Sequence, residues 1–179
     1  IAAARVVIGV MLLAGTWLDP YGGGLRSGFA AVLVAIHLAY AIALAVFART
    51  DPPEAVGLAP LTHGVDLAWY TVLSWITGGV SSPLHGLFAF SMLASGFRWG
   101  MTATMVTAAT AVAALAAQAA SAASGLVDAP FHLNMLITRA GGFPVLGLLV
   151  GLLAENEQRL RESASAIARI MRLVRMESG

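Results

Sequence analysis

Six side chains able to do acid–base, ligand or ion-pair chemistry sit inside stretches that are otherwise apolar: His37, His63, His85, His132, Asp66 and Arg139. An ionisable group at the centre of a lipid bilayer costs about 2.5–3.5 kcal/mol by insertion scales, so each of these marks a candidate site. Neutral imidazole is a common axial ligand for heme held between bundle helices. His85 and His132 both stand at the start of an apolar run, at matching depth, and the spacing allows a bis-histidine heme b there. His37 and His63 allow a second, inner heme with poorer depth matching, and Arg139 would then face a propionate. Asp66 and Arg139 also pair as opposite charges near mid-depth, either to fix helix register or as a switchable bridge. Three plainer readings stand beside the heme: interfacial histidines at loop ends, a protonatable switch whose imidazole titrates near neutral pH, and no cofactor.

The elements that must position these groups are six apolar runs, approximately Ala4 to Leu18, Phe29 to Ala48, Leu61 to Thr77, Pro83 to Phe97, Met101 to Ser124 and Phe131 to Ala154. Runs of about 20 apolar residues match a hydrocarbon core of roughly 30 Å. They lack the alternation of barrel strands, which leaves helices as the spanning form. Stops separate them: Asp19-Pro20-Tyr21 with three glycines, Arg49 to Glu54, Gly78-Gly79-Val80-Ser81-Ser82-Pro83, Arg98-Trp99-Gly100 and Asp128-Ala129-Pro130. The expected fold class is therefore an all-α polytopic membrane protein. Residues 1–154 form a six-helix transmembrane bundle, and residues 155–179 a cytoplasmic helix. Gly141-Gly142 before Pro144 predicts a kink in the sixth helix. The fifth run, rich in Ala and Thr, predicts close helix packing.

Composition closes other routes. Of 179 residues, 59% are hydrophobic and 11% charged, less than half the charge of an ordinary soluble domain. All ten basic residues are arginine, a compositional bias that carries no signal for a nucleic-acid partner. The absence of cysteine removes disulfides, thiolate metal sites and cysteine nucleophiles. Basic flanks are retained in the cytoplasm. With the N-terminus inside, Arg5, Arg49, Arg98 and the five arginines after Glu155 all lie inside, against Arg26 alone outside. Both termini are thus expected in the cytoplasm, and the loops are too short for an external binding domain. Trp17, Tyr21, Trp75 and Trp99 fall near span ends, as interfacial aromatic belts require. The chain starts at Ile1 with no basic n-region beyond Arg5, which argues against a signal peptide and reads as a piece of a longer chain.

Beyond Ala154 the sequence turns polar without a Gly or Pro before Gly179, so the last helix is expected to run on into the cytoplasm. Leu153, Leu160, Ile167 and Val174 recur every seven residues, with Ala164 and Met171 four after two of them. That is the seam of a parallel dimeric coiled coil. An amphipathic helix lying on anionic lipid is the competing reading. Acids early (Glu155, Glu157, Glu162) and Arg169, Arg172 and Arg175 late suit the helix dipole.

Asp66 in the third run, the Gly78-Gly79-Val80-Ser81-Ser82-Pro83 turn, the Phe97-Arg98-Trp99-Gly100 inner turn and Arg139 ahead of the charged stretch to Glu162 stand in order over roughly residues 60 to 165. In this the chain resembles the six-helix N-terminal membrane sensor region of bacterial histidine kinases, and similar regions precede diguanylate cyclases. The resemblance implies an input domain of a dimeric signalling protein in the bacterial inner membrane, joined to a C-terminal cytoplasmic output domain. No phosphoacceptor, ATP-lid or cyclase motif is present, so no catalysis is expected of these residues. His85 and His132 lie outside the general pattern and point to a heme-bearing variant sensing heme, redox state or a diatomic gas. A small transporter or channel, suggested by Asp66, Arg139 and the broken sixth helix, and a membrane b-type electron carrier are the alternatives. The internal repeat that many transporters carry is not found here.

Overall fold

A computed structural model describes residues 1–18, 28–50, 57–126 and 132–177. Among the described residues the fold is all helical: α1 (Ala2–Leu18), α2 (Gly28–Arg49), α3 (Ala59–Ile76), α4 (Gly86–Ala123) and α5 (Leu133–Glu177), with short 3-10 turns at Gly79–Ser81 and Pro83–His85. Three stretches are long and apolar enough to cross a membrane: Gly28–Arg49, Pro83–Ala123 and Leu133–Ile167; Ala2–Gly15 is a shorter apolar helix. Tyr21, Arg26 and the side chains of Trp17, Arg169, Arg172, Val174 and Arg175 lie outside what is described.

α4 is a hairpin rather than a rod. A straight helix would hold His85 and Gln118 about 50 Å apart at 1.5 Å per residue, yet His85 Nε2 lies 3.1 Å from Gln118 Oε1. The reversal is at Gly100, whose φ of 79° and ψ of −162° occupy a region open almost only to glycine. The Arg98-Trp99-Gly100 stop therefore separates two helical arms, as the sequence predicts. Thr104 Oγ1 then donates back to the Gly100 carbonyl and closes the first turn of the second arm. At the opposite end Gly78, with φ 121°, starts the turn out of α3. Ser82 Oγ accepts from the Leu84 backbone N–H and caps the chain into Pro83.

The α4 hairpin forms the main contact with α5, and α1 packs mainly on α2. Between apolar helices in lipid the hydrophobic effect contributes little, and close van der Waals approach does the work. Gly147 of α5 sits where an added Cβ would come within 2.8 Å of the Ala108 methyl, and Gly151 meets the Met101 side chain still more closely. Gly96 is pressed between Thr104 and Val150. Tyr70, Val80, Phe88, Met92, Leu115 and Phe143 fill the core between α3, α4 and α5. Large apolar side chains cover the outside, among them Met11, Phe29, Val46, Val106 and Ile137, a surface that water would not tolerate at this extent.

α5 passes through Pro144 as one helical element from Leu133 to Glu177, across the position at which the sequence predicts a kink. Thr138, Met135 and other exposed side chains line this stretch, and the carbonyl freed by Pro144 leaves the helix continuous. The charged half beyond Glu155 begins beside the hairpin reversal, where Glu157, Gln158 and Arg161 line a hollow with Phe97, and farther on Leu160 and Ile167 are 63% and 57% exposed. Exposed i, i+4 pairs Glu155–Arg159 and Glu157–Arg161 run along it and contribute only tenths of a kcal/mol.

Replacing Gly100 by alanine should cost about 1–3 kcal/mol through backbone strain and lower the Tm measured in detergent. Gly64→Ala, in a helix with nothing within 4 Å of the new methyl, should leave it unchanged or slightly raised. Equal behaviour of the two variants would show that the reversal does not depend on Gly100.

Candidate functional site

The buried polar groups sort into two networks at opposite ends of the bundle. The first lies toward the end that carries Arg98. Arg5 of α1 donates from Nε to Asp66 Oδ2 of α3 at 2.7 Å, and its Nη2 stands 2.6 Å from the same oxygen. Both side chains are at most 2% exposed. Asp66 therefore pairs with Arg5 and not with Arg139. Counting residues from span ends placed Asp66 and Arg139 at a common depth and left Arg5 at the flank. That count omits side-chain length: a guanidinium on a flexible stem three residues into its helix reaches inward as readily as it snorkels outward. Asp66 Oδ1 has no hydrogen-bond partner.

Around this pair stand aromatic rings. His37 of α2 is 1% exposed, stacked on Trp69 at 5.9 Å between centroids and edge-on to Tyr70 at 5.6 Å, and neither of its ring nitrogens is hydrogen-bonded. His63 contacts Thr107 Oγ1 through Nε2 at 3.0 Å and meets Trp99 edge-on. His37 and His63 are thus held by different neighbours and do not face one another as a ligand pair.

The second network ties α5 to the turn between α3 and α4. Arg139 Nη1 donates to the Val80 carbonyl and lies 2.8 Å from His85 Nδ1. His85 Nε2 meets Gln118 Oε1, and Gln118 Nε2 donates to Ser74 Oγ at 2.8 Å. Thr77 and Ser82 hydroxyls share a hydrogen bond of 2.6 Å behind them. A neutral imidazole carries one N–H, which makes two of these contacts alternatives. With Arg139 donating to Nδ1, the proton must be on Nε2, where it serves Gln118 Oε1. The Ser82 carbonyl, 2.9 Å from Nδ1, is bonded only if the proton moves to Nδ1 and Arg139 withdraws. An imidazolium would satisfy Ser82 and Gln118 together but would set a cation against the Arg139 guanidinium. The arrangement that satisfies the most groups has Arg139 docked and His85 protonated at Nε2.

This engagement bears on heme. Both nitrogens of His85 have protein partners, while His132 is exposed, its carbonyl accepts from the Leu136 backbone N–H at 3.1 Å, and it stands seven residues before Arg139, about 10 Å farther along the helix. Among the described residues no group of three or more His, Asp or Glu converges as a metal site. Gln118, Ser74 and Arg5 are the residues of these networks that the sequence does not mark as a site; a lone glutamine in an Ala-rich apolar run is the available signal for the first.

No protein family, curated protein or solved structure matches the chain. The likeness to membrane sensor regions rests on the residues that carry it.

Two outcomes follow from these networks. Asp66→Ala should destabilise the protein by about 3–5 kcal/mol by leaving Arg5 buried and uncompensated, whereas Arg5→Leu with Asp66→Leu should lose much less, and Tm values in detergent compare them. 15N NMR of labelled histidine should find His85 Nδ1 unprotonated, with the proton moving to Nδ1 in Arg139→Leu. A wild-type His85 protonated at Nδ1 would contradict the docked arrangement.

Proposed function

We propose that the chain is the membrane-embedded sensory input domain of a bacterial signal-transduction protein, a histidine kinase or diguanylate cyclase, acting as a parallel homodimer in the inner membrane. The observation that carries this reading is α5: one uninterrupted helix that is clamped to the bundle over its apolar half and free over its charged half. A helix of 45 residues is about 67 Å long, roughly twice the hydrocarbon thickness. Its free half has to lie in water. It exposes Leu153, Leu160, Ile167 and Met171 in heptad register, and a second copy of the same helix is what such a seam accepts.

The reading takes six crossings. Three stretches are long and apolar enough to span; α4, at 38 residues and folded into two arms at Gly100, is taken to cross twice, and α1 and α3 once each beside α2 and α5. An even number puts both termini on one side. The arginine distribution makes that side the cytoplasm. The mechanism then has a clamp and a lever. Arg139 pins the outer end of α5 to the Val80 carbonyl and His85. A stimulus reaching the turn from the lipid or the outer rim changes whether Arg139 is docked, and the resulting shift of α5 is passed along the rod to the helix after Glu155. Small contact residues, Gly147 and Gly151, hold α5 close against the hairpin, so a shift of α5 repacks that contact.

The absence of native cysteine makes single-cysteine reporters clean. Oxidative crosslinking in native membranes should be strong with cysteine at 153, 160 and 167 and weak at 156 and 163. A yield without seven-residue periodicity, or no crosslink at any position, would refute the dimeric lever.

A further inference from the structure

We infer that the Arg98 end of the bundle holds an anionic phospholipid, its phosphate between Arg98, Arg5 and Arg49 and an acyl chain along the groove between α1 and α2. Two adjoining hollows carry this inference. One, about 510 Å3, is an apolar groove between α1 and α2 lined by Val6, Ile42, Ala45 and Val46, with Arg49 at its end. The other, about 60 Å3, lies between α1, α2, α3 and the hairpin reversal and is lined by Arg5, Thr62 and Arg98. It has room for a few waters or one tetrahedral oxyanion. Ala2 and Ala48 line both, so groove and hollow adjoin, apolar along the helices and basic at their ends.

The charges at the hollow do not balance. Arg5 is matched by Asp66, but among the described residues Arg98 and Arg49 have no acidic partner. Arg98 only approaches the Trp99 ring, at 5.8 Å, and its Nη1 is buried without a hydrogen bond. Arg5, 2% exposed, also lines the hollow, with its Nη2 held in the ion pair with Asp66. Buried guanidinium N–H groups left unpaired are costly, and their forked geometry fits a phosphate diester. α2 ends, α3 begins and the hairpin reverses at this level, so the hollow stands where a bilayer places its headgroups, and basic hollows between helices on the cytoplasmic side suit anionic lipid. A free phosphate ion would fill the hollow but leave the groove empty. The lipid satisfies both.

The inference rests on the membrane-embedded reading but not on signalling. The test is native mass spectrometry of the full chain released from mixed vesicles of phosphatidylglycerol and phosphatidylcholine. One phosphatidylglycerol should remain bound. Arg98→Gln should reduce its retention about tenfold, as losing a charge-assisted bond would. Ala45→Trp, which fills the groove and leaves every arginine in place, should reduce it as well, and the exposed tail variant Arg161→Gln should not. Equal retention of both lipids would overturn the preference for an anionic headgroup, and retention of neither would overturn the lipid site; both outcomes leave the membrane reading intact. Displacement of the lipid by millimolar inorganic phosphate alone, or full retention in both Arg98→Gln and Ala45→Trp, would overturn the inference.

Discussion

An apolar surround supplies no hydrogen bonds, and each polar side chain inside it has to find its partner within the protein. That constraint organises this bundle. Arg5 and Asp66 join α1 to α3 at one end, and Arg139, His85, Gln118 and Ser74 join α5, both arms of α4 and α3 at the other. Between the two ends almost every contact is made by small or apolar residues, so the bundle is fastened at its ends and smooth in the middle. Fastening of this kind fixes which helices are neighbours yet permits one of them to move lengthwise.

The long last helix is the element that gains from such a design. Its apolar half rests on the α4 hairpin through Gly147 and Gly151, and its one strong polar tie is Arg139. Val80 and His85, which receive that tie, are set in place by the Gly78 turn and the Ser82 cap. A disturbance of the turn therefore acts on the same residues that hold the helix. His85 Nδ1 either accepts from Arg139 or donates to Ser82, so the two contacts exclude one another at that nitrogen.

Much of the helical plan was legible in the sequence, because length and apolarity are properties of contiguous residues. The ends of α1, α2 and α3 fall within a few residues of the runs read from hydropathy, and the stop at Arg98-Trp99-Gly100 marks the hairpin reversal. What the sequence concealed depends on side-chain reach and on which helices become neighbours. Asp66 was matched with Arg139 by depth, while Arg5, treated as a flank, reaches the carboxylate from a neighbouring helix. His85 was read as a free ligand because nothing in a linear string shows Gln118, thirty-three residues later, arriving beside it.

The central claim is the reversal at Gly100 and the proposal of six passages that builds on it. Labelling of intact cells with a membrane-impermeant maleimide, using single cysteines at positions 50, 99, 126 and 158, tests this directly. Cysteine at 126 should react from outside, and those at 50, 99 and 158 only after the inner membrane is opened. Reaction of position 99 or 158 from outside, or protection of position 126 until the membrane is opened, would contradict it.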